Sequence, residues 1–346
     1  MTAIAPVSDE DVALRLRAGR LSLGVGIVVF VGKLGAWAFT GSTAVLSDAL
    51  ESVVNVAAAG LLLWSLAVAA RPADPSHPYG HGKVEFFSAG VEGTLIAVAA
   101  ALILVEAVHE LLVGPAIRNA DAGLLLVTVL TGLNAALGVY LVRIGRRTHS
   151  LSLLADGQHV LADVVTSVGV VVGLAAVWLT GWALLDPLVA FAVALNILRT
   201  GFVLLRQAVG GLMDEADTGS LARMADALED ARAPHWIDVH GMRSWRSGHV
   251  QHVDLHMAVP RYFDADQLHR VDEEVSALLL GATGLPGDVI VHFDPCRPRQ
   301  CRGCGMPECP VRSAPFEKRE PLSLERVIRG DETLDGGRPL GAVVRP

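Results

Sequence analysis

Four polar residues occur in two matched pairs within otherwise apolar stretches of the chain. His159 and Asp163 lie four residues apart in SLLADGQHVLADVVTSVGVV, and Glu51 and Asn55 lie four apart in TAVLSDALESVVNVAAAGLL. On a helix, residues at this spacing project from one face. If the two faces meet, three oxygen ligands and one imidazole nitrogen suit a four-coordinate divalent cation. In the alternative interpretation, Glu51 and Asn55 only join helices by hydrogen bonds, and His159 pairs privately with Asp163.

Other polar residues accompany these pairs. Asp48 and Asp156 each stand three residues before a pair, where they could support the ligands or line the entry path. Lys33 and Glu92 also lie within apolar stretches, and we interpret them as structural or gating groups.

Composition assigns the chain to the membrane proteins. Of its 346 residues, 52% are hydrophobic and only 18% are charged, with a mean hydropathy of +0.46. Soluble domains have about 25% charged residues. The net charge of −8 and the lack of a basic face give no indication of nucleic-acid binding. The N-terminus lacks the pattern of a cleaved signal peptide.

Six apolar segments are long enough to cross a bilayer, which takes about 20 residues. They cover residues 21–40, 43–70, 84–113, 122–142, 151–180 and 185–204. Arginine and lysine cluster before the first segment, between the second and third, and after the fourth. By the positive-inside rule, both termini are predicted to be cytoplasmic. We therefore predict an all-α six-helix transmembrane bundle at residues 21–208, after a cytoplasmic segment at 1–20.

The composition becomes that of a soluble α+β domain after the last apolar segment. Residues 220–231 and 264–280 have helical periodicity, with Asp264 as an N-cap, whereas 237–244, 249–259 and 289–294 alternate like strands. We predict a cytoplasmic domain at 209–295 with helices on one face of a sheet. The Pro-, Gly- and charge-rich residues 313–346 are predicted to form a disordered tail.

All four cysteines of the chain lie close together in CRPRQCRGCGMPEC. Cys296, Cys301, Cys304 and Cys309 predict a four-cysteine zinc knuckle at 296–312, because tight turns in a reducing compartment can wrap one tetrahedral ion. The spacing also resembles part of an iron–sulfur pattern, although the fourth cysteine is too near for the plant type. An unstructured reducible tail is the remaining alternative.

Several motifs in order resemble the cation diffusion facilitator family of divalent-metal/proton antiporters. They are SDALESVVN, HPYGHGKVE, ADGQHVLADVVTSVG, DP at 186–187, LMDEA and VIVHFDPC, and together they cover about residues 20–296. The resemblance implies a ferredoxin-like cytoplasmic domain, a homodimer and alternating access. One departure is notable, because the family's second span usually carries His or Asp followed four residues on by Asp, where this chain has Glu51 and Asn55.

The resemblance also implies sites outside the bundle. Asp74, His77 and His81 match a loop metal site of some bacterial members, although HPYGHGK could instead be a turn whose histidines cap helix ends. Lys83 and Asp214 resemble the family's charge pair between the third and sixth spans. In the cytoplasmic domain, the residues that resemble a binuclear regulatory metal site are His240, His256, His269, His292 and Asp294. His249 and His252 match no family position and are predicted to lie at the surface.

These observations predict a secondary transporter and not an enzyme. The expected function is efflux of a divalent metal in exchange for protons as counter-ion, with zinc as first choice and iron, cobalt or manganese as alternatives. Divalent metal is expected both as substrate and as regulator. A passive cation channel and a metal-sensing membrane protein are alternative functions. An intramembrane metalloenzyme is disfavoured, because the sequence contains no HExxH and no base beside an open coordination position.

Overall fold

A computed structural model describes residues 9–40, 43–113, 124–182 and 184–329. The chain divides into two compact units, one ending at Met213 and the other beginning at Asp214. Helix α6 continues to Leu212, so the first unit ends a few residues later than the predicted boundary at 208.

Six long helices form the first unit. They are α1 (Asp9–Thr40), α2 (Thr43–Ala69), α3 (Val84–Val113), α4 (Leu124–Arg147), α5 (Leu151–Thr180) and α6 (Leu185–Leu212). Helices α3 and α5 coincide with the predicted segments, whereas α1 begins 12 residues before residue 21. Within the described residues, α1, α2, α3 and α6 contain stretches long and apolar enough to cross a membrane. These helices make the chain an integral membrane protein, and the six-span count stays a prediction.

Glycines bring α3 and α6 into backbone contact. A Cβ atom on Gly201 would lie 2.8 Å from the amide nitrogen of Ala97 and 2.9 Å from the carbonyl oxygen of Gly93. A Cβ atom on Gly93 would lie 2.9 Å from the amide nitrogen of Leu205. Small residues allow this close approach. It increases van der Waals contact between the helices, which matters in a bilayer because the hydrophobic effect does not drive helices together there. Ile96 and Leu204 are buried beside the two glycines.

A buried ion pair joins α1 to α3. An Arg15 guanidinium nitrogen lies 3.5 Å from a carboxylate oxygen of Glu85, and both side chains are buried. Ser150, directly before α5, and Ser152, in its first turn, both donate hydroxyl hydrogen bonds to the other Glu85 oxygen. The Ser152 bond is 3.1 Å long. The network thus ties three helices together at one end.

We expect Glu85→Ala to destabilise the first unit by about 3–5 kcal/mol. Removing one partner of a buried pair leaves the other charge, here Arg15, without compensation. Thermal unfolding of the detergent-purified protein measures the effect. The double variant Arg15→Met/Glu85→Leu removes both charges and is expected to recover most of the loss. A Glu85→Ala variant as stable as the parent would contradict the assigned role of the pair.

The second unit has the order α7 (Thr218–Asp230), β1 (Asp238–Ser247), β2 (Val250–Val259), α8 (Ala265–Thr283) and β3 (Gly287–Pro295). Strands β1 and β2 pair antiparallel, and β2 and β3 pair parallel, in the sheet order β1-β2-β3. The predicted N-cap Asp264 accepts a hydrogen bond from the backbone N–H of Gln267. The side-chain oxygen of Gln267 in turn accepts one from the backbone N–H of Asp264. The predicted helix–strand order is therefore present, and the ferredoxin-like topology stays a prediction.

Residues 313–329, predicted to belong to a disordered tail, pack on this unit instead. Leu322 and Val327 are fully buried in its core, the latter on a short helix, α9 (Leu324–Ile328). Arg326 donates to a carboxylate oxygen of Asp238 over 2.9 Å. The segment has few apolar residues, so its overall polar composition predicted disorder. Composition does not show that these few residues are spaced to pack into the core. The remainder of the predicted tail, 330–346, lies outside the described residues.

Candidate metal sites

Asn55 bridges the two fifth-helix residues of the predicted transport site. Its side-chain nitrogen donates to a carboxylate oxygen of Asp163 over 2.7 Å, and its carbonyl oxygen lies 2.9 Å from Nε2 of His159. Helices α2 and α5 therefore do bring three of the four predicted residues together. The backbone of Glu51 lies one turn before Asn55 on α2, but its side chain falls outside the described residues.

The bridge selects one tautomer of the imidazole. Because an amide oxygen can only accept, Nε2 of His159 carries a proton, and in the neutral imidazole Nδ1 then keeps its lone pair. Nδ1 is buried and has no hydrogen-bond partner among the described residues. An unpaired buried acceptor is costly, and a bound cation or proton would satisfy it. This orphaned nitrogen is the feature of the cluster that most favours ligand binding over simple helix joining.

A small cavity adjoins the cluster. It has a volume of about 20 Å³, and its polar lining comes from Ser22, Ser52, Asn55, Asn134, Asp156 and His159. That volume suffices for a water molecule. The carboxylate of Asp156 accepts a hydrogen bond from the Ser22 hydroxyl over 2.6 Å, and its role as a supporting or entry group stays a prediction. Ser22, Ser52 and Asn134 could not be predicted from the sequence, because single hydroxyls and amides are common in apolar helices.

Glu92 on α3 is fully buried near the carboxylate of Asp156. Neither of its carboxylate oxygens has a hydrogen-bond partner within the described chain. An isolated charge in such a place is expensive. Glu92 thus joins no group of described residues that could form a metal site, and its structural or gating role stays a prediction.

The loop between α2 and α3 gathers Asp74, His77 and His81. One Asp74 oxygen lies 3.3 Å from Nδ1 of His77, and the other lies 3.3 Å from Nε2 of His81. All three offer ligand atoms within 4.8 Å of one another. The imidazole rings are 4.4 Å apart, centroid to centroid. The geometry suits a cation at the solvent-exposed surface.

Hydrogen bonds keep Asp74 ionised. The hydroxyl of Ser76 and the backbone N–H of His77 both donate to one carboxylate oxygen over 2.7 Å, and they hold the pKa of Asp74 well below its ordinary value. Because the folded pKa is depressed, the order that these bonds give the loop is present above the ordinary aspartate pKa. It is lost as the pH falls through the lower folded value.

We expect Ser76→Ala to raise the pKa of Asp74 towards the ordinary aspartate value of about 3.9. Carbon-13 NMR of selectively labelled aspartate carboxyl groups measures the titration in detergent. Ser323→Ala, which removes a hydroxyl from an exposed residue in the other unit, is the matched control. Unchanged aspartate titrations in both variants would contradict the role assigned to Ser76.

Strand register assembles the cytoplasmic cluster. His240 of β1 pairs with His256 of β2, which pairs with His292 of β3, so three imidazoles cross the sheet in one row. Asp294 lies two residues beyond His292 on the same face. One of its oxygens is 3.1 Å from Nδ1 of His256 and 3.5 Å from Nε2 of His240. His240, His256 and Asp294 offer ligand atoms within 4.8 Å of one another.

Two members of the predicted set are less closely placed. Nε2 of His292 is 3.7 Å from an Asp294 oxygen, and this imidazole is mostly exposed. His269 lies on α8, where its imidazole faces Glu273 at 3.5 Å and not the described cluster. An additional carboxylate, Asp238, places an oxygen 3.8 Å from Nδ1 of His240. Its role was missed because nothing in the sequence distinguishes it from other surface acids.

The prediction that His249 and His252 lie at the surface is wrong. Both are buried, at 5% and 1% exposure. Nδ1 of His252 hydrogen-bonds to Asp288 of β3, and the ring stacks on Trp245 at 5.4 Å between centroids. The alternation of β2 signals an inward position here, and the Asp288 partner makes burial of the imidazole tolerable.

The remaining predicted residues are placed as follows. Lys83 belongs to the first unit and Asp214 to the second, so their pairing stays a prediction. The four cysteines form no disulfide, and Cys301 and Cys304 are buried. All four line one cavity of about 10 Å³.

A unit of apolar helices with a partly buried polar cluster and an α+β unit with a histidine cluster are the features expected of a membrane transporter of metal cations. The model of the cation efflux transmembrane domain matches residues 20–213, and that of the cation efflux protein cytoplasmic domain matches 218–296. The chain belongs to the cation diffusion facilitator family, as the motifs indicated.

Similar proteins cover most of the chain. The uncharacterized transporter sll1263 of Synechocystis is 38% identical over 80% of this chain and 88% of its own length. The cation-efflux pump FieF of Salmonella arizonae is 26% identical over 81% and 92%. FieF of Yersinia pestis is 27% identical over 83% and 95%. Divalent cation efflux is therefore the activity that the family supports.

Proposed function

We propose that this protein exports a divalent metal, zinc in the first instance, from the cytoplasm in exchange for protons. The observation that supports the proposal is the partly buried cluster of Asn55, His159 and Asp163, in which Nδ1 of His159 is buried beside a small cavity and has no hydrogen-bond partner among the described residues. Glu51, one turn before Asn55, is the proposed fourth ligand. Zinc accepts mixed nitrogen and oxygen tetrahedra, whereas the oxygen-rich set keeps iron, cobalt and manganese as candidates.

Metal and protons compete for these groups. A cation requires a neutral imidazole and an ionised Asp163, so binding from the cytoplasm excludes protons and protonation expels the metal. His159 is the proposed proton carrier, because imidazole is the side chain suited to exchange protons near neutral pH. Asn55 contacts both residues, Asp163 over 2.7 Å and His159 over 2.9 Å. Metal entry exchanges this bridge for coordination.

The complete proposed transporter is a homodimer with six spans per chain and both termini in the cytoplasm of a bacterial plasma membrane. The family's cytoplasmic domain supports association of two copies. The cluster of His240, His256 and Asp294 is the proposed regulatory site, at which cytoplasmic metal biases transport. The His269 imidazole lies beside Glu273 and not in this cluster. If His269 is a ligand, it would have to bind metal together with residues of a second copy of the chain.

Metal-driven proton flux in proteoliposomes tests the proposal. The purified protein is reconstituted and challenged with zinc, cobalt, iron(II), manganese and cadmium, while an internal dye reports pH. Proton movement with one or two of these metals is the expected result. Metal binding without any proton movement would overturn antiport in favour of a metal sensor. Voltage-dependent metal current that ignores the proton gradient would favour a passive channel.

A further inference from the structure

The part of the chain that the family models match ends at Cys296, and the other three cysteines lie beyond it. Cys296 follows β3, Cys301 lies within a short 3-10 helix at Pro298–Arg302, and Cys304 follows after a tight turn. Cys304 packs against Ile237 and Ala258, at the ends of the sheet. The site is thus built onto the cytoplasmic unit, and it serves no step of the transport cycle described above.

The thiols share one enclosed space. All four cysteines line the cavity of about 10 Å³, roughly the room for one ion or water. No three of the sulfurs lie within 4.8 Å of one another in the described chain, unlike the atoms of the two histidine clusters. A tetrahedral zinc ion with bonds of about 2.3 Å holds its sulfurs about 3.8 Å apart. Binding would therefore draw the thiolates inward around the cavity.

Hydrogen bonds already support this pocket. The backbone N–H and the hydroxyl of Ser313 point at Sγ of Cys301, over 3.5 and 3.3 Å. The guanidinium of Arg312 donates to the carbonyl oxygens of Cys301, Cys304 and Met306, which fixes the turn between the cysteines. Donors aimed at a sulfur and a clamped loop are the outer supports that orient metal ligands.

The cysteine segment is connected at both ends to the His240 cluster. On one side, Cys296 stands two residues after Asp294, directly beyond the end of β3, and its N–H donates to the carbonyl oxygen of Val259 over 2.9 Å. On the other side, the chain beyond Ser313 leads to Arg326, which binds Asp238 beside His240. The backbone of Arg329 also accepts the N–H of Gly241 over 2.6 Å. Gly241 has a φ of +62° in the β1 bulge, next to His240.

We propose that Cys296, Cys301, Cys304 and Cys309 bind one zinc ion that fastens residues 313–329 to the cytoplasmic unit. Four thiolates select a soft, tetrahedral ion and disfavour manganese or magnesium. The fastened segment holds Asp238 through Arg326, while the strand end before Cys296 holds Asp294. A structural zinc site thereby positions two carboxylates of the neighbouring cluster.

Cobalt substitution tests the site on the full-length protein in detergent. Because the chain has four cysteines and all lie here, thiolate-to-cobalt charge-transfer absorption reports on this site alone. We expect the band in the parent and in Asp294→Ala, and its loss in Cys301→Ser/Cys304→Ser. The same band in the cysteine variant, or none in the parent, would overturn the proposal. A brown chromophore with stoichiometric iron and sulfide would overturn zinc in favour of an iron–sulfur cluster.

A second measurement applies even if the cysteine variant fails to fold. Iodoacetamide labelling of the zinc-loaded parent should leave all four thiols protected, and a strong zinc chelator should expose them together. Chelation should also accelerate trypsin cleavage at Lys318 and Arg319. Labelling at the same rate with and without chelator would overturn zinc binding, and unchanged cleavage would overturn the fastening of 313–329. Neither measurement depends on transport, so both remain decisive if antiport is disproved.

Discussion

Asp163→Ala is expected to abolish metal-driven proton flux while the protein stays folded and dimeric. Asp163 is the one carboxylate with a described contact to Asn55, and its loss removes both a ligand and a charge that favours the cation. Residues that only orient ligands cost about 10–100-fold in affinity, so we expect a loss of transport-site affinity above about a hundredfold. The proteoliposome assay measures flux, and size-exclusion chromatography measures the folded state.

Asp226→Ala is the control for this variant, since Asp226 is exposed on α7 in the cytoplasmic unit. It makes the same chemical change and should leave flux intact. Metal/proton exchange that persists in Asp163→Ala would refute the proposed transport site.

Asn55→Asp is expected to change the metal preference of the transporter. The substitution removes the donor that now satisfies Asp163 and places a second carboxylate beside it, so the two repel until a cation binds. The site becomes closer to the family's usual ligand pair, and we expect the flux ratio of zinc to manganese or iron(II) to shift at least several-fold. Flux measured across the five metals at fixed pH gives the profile.

Asn55→Ala separates positioning from ligation. It breaks the bridge between His159 and Asp163 without adding charge, and it should lower metal affinity for every ion tested. Asn196→Ala makes the same change at an exposed position of α6 and should have no effect. If Asn55→Asp keeps the parent's selectivity while Asn55→Ala still weakens binding, Asn55 is a positioning residue and not a ligand.

The sequence was most informative where one physical signal dominates. Apolar length predicted α3 and α5 to the residue, and the i, i+4 pairs predicted the meeting of Asn55 with His159 and Asp163. Helix α6 was predicted to end at residue 204, because its last two turns carry Arg206 and Gln207 and lose the apolar signal, yet the helix continues to Leu212.

Strand pairing and long-range packing decide the features that the sequence could not predict. The row of His240, His256 and His292 depends on strand pairing, and spacing along the chain does not reveal it. The contribution of Asp238 depends on the same pairing. Burial of His252 depends on Asp288, 36 residues away. The packing of 313–329 rests on Leu322 and Val327, two side chains whose burial only the folded core reveals.

The glycine contact between α3 and α6 limits how the membrane unit can move. With backbone against backbone at Gly93 and Gly201, a slide of one helix along the other would drive side chains into main-chain atoms. We therefore expect α3 and α6 to move together as one rigid pair. His159 and Asp163 lie on α5, and Asn55 lies on α2. A rearrangement that exposes this cluster to the opposite side of the membrane would then displace α2 and α5 relative to the rigid pair.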